Sequence, residues 1–123
     1  MDEYEQIVAR VMHHLEDGAF VLSHVQDEAS AKRAAGMFVE ASDRVVSLRR
    51  QMLEANPEDR IPPYIVIAYG PRYFFVRFET DQQVKRIKAM DEAVSQPLRD
   101  VLGRLDKRVE KVEDEFDAEK RGR

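Results

Sequence analysis

The sequence predicts an all-α fold, an antiparallel bundle of three to four long helices. Three observations carry this. Apolar residues recur at alternating spacings of three and four along most of the chain, a helix-capping corner joins two of the stripes, and Gly and Pro number only five each.

The first stripe is Tyr4, Val8, Val11, Leu15, Gly18, Leu22 and Val25, widened by Ile7, Met12, Ala19 and Phe20. It marks one side of a helix about 24 residues long, or ~36 Å. Gly18 lies on the stripe although Gly costs up to ~1 kcal/mol against Ala in a helix, which predicts close approach of a neighbour there.

Residues 22–38 form the corner around which the chain is organised. The apolar run ends at Val25, and Asp27 is placed to cap a new helix by accepting from the backbone N–H of Ala29 or Ser30. Ser30 reads as a first-turn residue that satisfies a backbone donor. The next helix presents Ala31, Ala34, Ala35, Phe38, Ala41, Val45, Leu48 and Met52. Small residues near the corner let two helices lie close there and diverge beyond. Asn56-Pro57 ends this helix, because the residue before proline is pushed out of the α region.

Residues 57–63 are a connecting loop. Tyr64 to Phe78 supports two structures. Its β-branched and aromatic residues around Gly70-Pro71 predict a hairpin, and hence an alternative α+β fold. As a helix, Gly70 breaks the chain, Pro71 occupies a first turn, and Tyr73, Val76, Thr80, Val84, Ile87 and Val94 continue one stripe. The last stripe, Leu98, Leu102, Leu105, Val109, Val112 and Phe116, follows Pro97 at an expected helix start. It is a coiled-coil-like seam, used for packing within the bundle or, alternatively, as a dimer zipper.

A chain of 123 residues reads as a single domain over 1–123, with 117–123 a fraying mixed-charge tail. Cysteine is absent, which excludes disulfides and thiolate chemistry. No apolar run approaches the roughly 18 residues of a membrane span, and no signal peptide is evident. The chain as given is expected in the cytoplasm, whereas a trimmed mature form would belong to the envelope or outside. The net charge of −4 argues against nucleic acid as partner. Residues 1–28 hold Asp2, Glu3, Glu5, Glu16, Asp17, Asp27 and Glu28 against Arg10 alone, and residues 29–50 are net basic. The first two helices are therefore expected to attract one another along their flanks.

The corner Val25-x-Asp27-x-x-Ser30-Ala31, followed by Ala34 and Ala35, resembles a family of short, uncharacterised helical bacterial proteins. The resemblance continues at Tyr69-Gly70-Pro71 and Arg86-Ile87, and covers residues 15–105. It implies an all-helical fold and, for many members, export or a lipid anchor, with no assigned activity. The chain departs from the pattern at Tyr73-Phe74-Phe75-Val76, where the family is polar and alanine-rich.

Residues fit for catalysis are sparse. His13 and His14 are adjacent, so on a helix they point about 100° apart, and His24 stands alone. Neither a Glu-x-x-His pair nor His-Glu-x-x-His occurs. None of Ser23, Ser30, Ser42, Ser47 or Ser95 lies in a nucleophile elbow. These patterns predict no enzyme, no metal and no cofactor.

The candidate binding residues are Tyr69, Arg72, Tyr73, Phe74, Phe75, Arg77 and Phe78, with Asp27, Ser30, Gly70 and Pro71 structural. One use for these rings is the core. The other is an interaction surface, since 65–78 holds too many apolar residues for one buried face. The expected function is a non-catalytic binding or structural module that engages a protein partner or a second copy as a homodimer. The alternatives are an anionic-ligand or nucleic-acid site using Arg72, Arg77, Lys85 and Arg86 in the α+β fold, and a peripheral envelope protein.

Overall fold

The computed structural model describes residues 1–122. Four helices make it up, α1 (Glu3–Ser23), α2 (Glu28–Ala55), α3 (Pro63–Lys88) and α4 (Glu92–Arg121), and among the described residues there is no strand. With 86% of residues helical, the fold is the all-α bundle. The α+β alternative with a hairpin at 64–78 is overturned.

Asp2 starts α1 by accepting from the Glu5 N–H at 2.7 Å, and Glu3 and Glu5 complement the positive helix end. The corner carries a reciprocal cap. The Asp27 carboxylate accepts from the Ser30 N–H at 2.8 Å, while the Ser30 hydroxyl oxygen accepts from the Asp27 N–H at 3.0 Å. Ala31, Ala34 and Ala35 are buried directly after it, and Val25 is wholly buried within the turn. The ring of Phe38 lies against Gly18, with Cε1 3.4 Å from where a Cβ would stand. What approaches Gly18 is thus a side chain of α2.

Two prolines lie inside helices, contrary to expectation. α3 runs unbroken through Gly70-Pro71, and α4 begins at Glu92, one turn and more before Pro97. Proline removes the hydrogen bond to the carbonyl four residues back. Those carbonyls belong to Ile67 and Ala93, both exposed, so water can serve them. Val94 accordingly belongs to α4 rather than extending the α3 stripe. α4 continues through the stretch expected to fray, whose last residue, Arg123, lies outside the described residues.

Consecutive helices reverse direction, yet each also lies beside a parallel one. Tyr64 meets Asp2, Arg72 meets Glu16 and Arg86 meets the end of α1, so α1 and α3 rise together. Asp43 meets Arg108, Arg49 meets Glu113 and Arg50 meets Glu119, so α2 and α4 do too. α4 makes its most extensive contact with α2, and α3 touches α4 only sparingly. The Leu98–Phe116 seam is therefore applied to packing against α2. Leu98 and Val101 join Ala31, Ala34 and Ala35 in one core cluster with Leu22, Val25 and Ile87. A second cluster, Tyr4, Val8, Met12, Ile65 and Val76, joins α1 to α3.

The opposite charges of α1 and α2 do not meet in direct pairs. Among the described residues no ion pair joins these two helices. Arg49 and Arg50 of α2 turn to α4 and the loop, whereas Arg44 lines the groove between α1 and α2. Arg49 donates to both Asp59 and Glu113 at 2.7 Å, which holds its guanidinium charged well above the ordinary arginine range. Asp59 itself adopts a left-handed backbone, φ 54°, which turns the chain toward α3.

Candidate functional site on the outer face of α3

Only three residues of α3 are buried, Ile65, Val76 and Ile87. They stand eleven apart, three helical turns each, and so form one narrow line along the helix. Tyr69 is half-buried beside it in the α1–α3 cluster. Of the stripe expected from the sequence, Val76 and Ile87 lie on this line, whereas Tyr73 stays 49% exposed.

At about 100° per residue, Ile67, Pro71, Phe74 and Phe78 fall in a band about 60° wide. That band is centred roughly opposite the buried line. Their exposure agrees, with Ile67 80%, Phe74 77% and Phe78 56% accessible, and Phe75, on the flank, 66%. The three phenylalanines are not core residues of this chain. α3 packs on α1 along one side and only sparingly on α4, so among the described residues nothing covers the other side. Ile67 was missing from the sequence-derived set. Its signal was available in the 4-3-4 spacing of 67, 71, 74 and 78, which the hairpin-like composition obscures.

The cations of this stretch do not converge. Arg72 donates to Glu16 at 2.6 Å and lies 5.7 Å over the Tyr69 ring, binding α3 to α1. Arg86 donates to the carbonyls of Val25 and Leu22. Arg77 and Lys85 are exposed. Arg72 and Arg77, five residues apart, diverge by about 140° around the helix.

At the start of α3 the Tyr64 hydroxyl donates to the Asp2 carboxylate. That bond, helped by the Glu5 N–H, holds the Asp2 carboxyl below its usual range and pushes the Tyr64 phenol up to about 12. Asp27 is likewise lowered, by donation from the Ser30 N–H and hydroxyl. Asp27 and Ser30 thus act on the corner, while Gly70 and Pro71 lie within α3, Pro71 on its outer face.

The histidines are dispersed. His13 pairs with Asp17 at 3.3 Å, and His24 stacks on Phe20 with ring centroids 4.5 Å apart. An open groove of about 400 Å³ between α1 and α2 is lined by Arg10, His13, His14, Arg44, Leu48 and Gln51 among others. Among the described residues, no group of three or more His, Asp or Glu is placed to hold a metal ion, and no helix is long and apolar enough to cross a membrane. Comparison with models of protein families, with curated proteins and with solved structures finds no match.

Proposed function

We propose that this protein is a non-catalytic helical module that engages a protein partner, or a second copy of itself, through the outer face of α3. One observation carries the proposal. α3 is apolar on two opposite sides, and only one of them, the Ile65–Val76–Ile87 line, is covered within the chain. A helix apolar all round belongs in an interior, and a contiguous exposed patch of this kind marks an interaction site in monomeric proteins. The cations nearest the patch do not favour an anionic ligand. Arg72 is engaged by Glu16, and Arg77, on the flank, stands about 140° from Arg72 around the helix, so the two do not grip one anion together.

Binding through this face is apolar in origin, so it is expected to persist from 50 mM to 500 mM salt. Phe75→Ser should abolish it, whereas Arg77→Ala should leave it within about twofold. Affinity falling steeply with salt, together with retention of single-stranded nucleic acid, would overturn the proposal.

A further inference from the structure

We infer that the partner covering the outer face of α3 is α3 of a second copy, docked antiparallel about a two-fold axis that passes between Arg72 and Tyr73. This rests on the proposed docking role of that face and adds its occupant and register.

The outer seam is Ile67, Pro71, Phe74 and Phe78, with spacings of four, three and four. That order reads the same in both directions. A two-fold interface needs such self-complementarity, since each residue meets a counterpart on an identical surface. Antiparallel pairing about this axis sets Ile67 against Phe78 and Pro71 against Phe74. In each layer a smaller apolar side chain faces a phenyl ring, the large-against-small alternation that lets facing layers interdigitate.

The flanks fit the same register. Phe75 faces Ala68 of the second copy, and Arg77 faces Gly70, where no side chain opposes it. A Cβ at Gly70 would meet only Val66 of its own helix, at 3.6 Å, so the space outside is open. The two Arg77 side chains are offset by about 13 Å along the axis, so no like charges meet. Beyond the seam Asp81 and Tyr64 come to one level on opposite flanks, so the apolar stretch ends in polar atoms.

Area points the same way. Scaled by their exposures, Ile67, Phe74, Phe75 and Phe78 present on the order of 500 Å². With Tyr64 and Pro71 the face reaches roughly 600 Å² per copy. Complete coverage of this face on two copies would bury about 1,200 Å², the lower edge of specific interfaces. α3 is also accessible along its whole length, so a second helix can approach without displacing another element.

The absence of cysteine allows a direct test by single-site spin labelling. Gln82→Cys and Lys88→Cys variants of the full chain, each labelled, would be measured by pulsed electron resonance at a concentration fixed by sedimentation. The proposal predicts a dimer between 1 and 200 µM, with label separations of about 30 Å at 82 and about 45 Å at 88. Phe74→Ser with Phe78→Ser should weaken the dimer at least tenfold. Equal short separations, about 10–15 Å at both sites, would mean parallel pairing and overturn the proposed register. A dimer indifferent to both serines would place the interface elsewhere and overturn it as well.

A monomer throughout this range overturns self-pairing outright, and the serine variant then judges the underlying docking role. An unchanged thermal midpoint leaves that role standing for a different partner, whereas a collapsed midpoint removes it too. Flotation of the monomer with 3:1 phosphatidylcholine–phosphatidylglycerol vesicles, lost in the serine variant, would assign the face to lipid.

Discussion

Arg86, near the end of α3, donates to the carbonyl oxygen of Val25 at 2.7 Å. Its second nitrogen reaches the Leu22 carbonyl at 2.9 Å, and Nε holds Gln83. The last carbonyls of α1 lack the donor that a further helical turn would supply, although the Leu22 oxygen also accepts from the Val25 N–H at 3.2 Å, and a cation there suits the negative end of the dipole. A residue 61 positions away therefore closes α1 just where the chain turns into the corner.

Arg86→Ala should destabilise the protein by about 2 kcal/mol, the scale of hydrogen bonds to a charged group. Arg86→Lys should recover less than half, because one ammonium cannot reproduce the two-carbonyl fork. Urea unfolding measures both. A loss no greater than that of Arg77→Ala, an exposed control, would show that the fork contributes nothing.

At the corner, Asp27→Ala should lower the thermal midpoint by on the order of 3–5 °C and Asp27→Asn by less, since the amide oxygen still accepts from Ser30. The carboxyl is held below its ordinary value in the fold. Its contribution is therefore present above the unfolded value of about 3.9 and is lost as pH falls through the lower folded value. NMR titration of the Asp27 carboxyl carbon should give a midpoint below about 3.9. A midpoint at or above it would remove the cap.

The Tyr64–Asp2 bond sets an alkaline counterpart. The phenol is raised to about 12, so its contribution is complete below about 10 and is lost as pH rises through about 12. Ultraviolet titration should find one tyrosine ionising near 12, and Asp2→Asn should bring that transition down toward 10. An unchanged profile in the variant would contradict the pairing.

Gly18→Ala should be neutral to mildly stabilising, because gained helix propensity of up to ~1 kcal/mol meets only the edge of the Phe38 ring at 3.4 Å. Gly18→Leu should instead displace that ring and cost on the order of 1–3 kcal/mol. Thermal melts of the pair decide it. Equal behaviour would mean that Phe38 does not pack there.

The corner and the last seam were legible because each announces itself locally. Asp27 and Ser30 have the spacing of a reciprocal cap, and Leu98 to Phe116 keeps one period without interruption. α3 was not, since its punctuation and its path disagree. Gly70-Pro71 signals a break, yet the carbonyl freed by Pro71 is Ile67's, on a face where nothing is buried. Pro97 misled in the same way about the start of α4. Sequence pattern also marked 64–78 as rich in rings without saying which side they would take. That depends on how many helices come to lie beside α3, a property of the bundle as a whole. The charge contrast between residues 1–28 and 29–50 likewise carried no information on which helix answers which, and Arg49, Arg50 and Arg108 pair across α2 and α4.

The central claim is that the phenylalanines of α3 are outside the core of their own chain. It is tested most directly by the stability of Phe74→Ser against Phe116→Ala, at a concentration where the protein sediments as a monomer. Phe116 is 3% exposed, so its truncation should cost about 3–5 kcal/mol. Phe74→Ser should change stability by less than about 0.5 kcal/mol. A loss of several kcal/mol for Phe74→Ser, comparable to that of Phe116→Ala, would show that the ring belongs to the monomer's interior and would contradict the account.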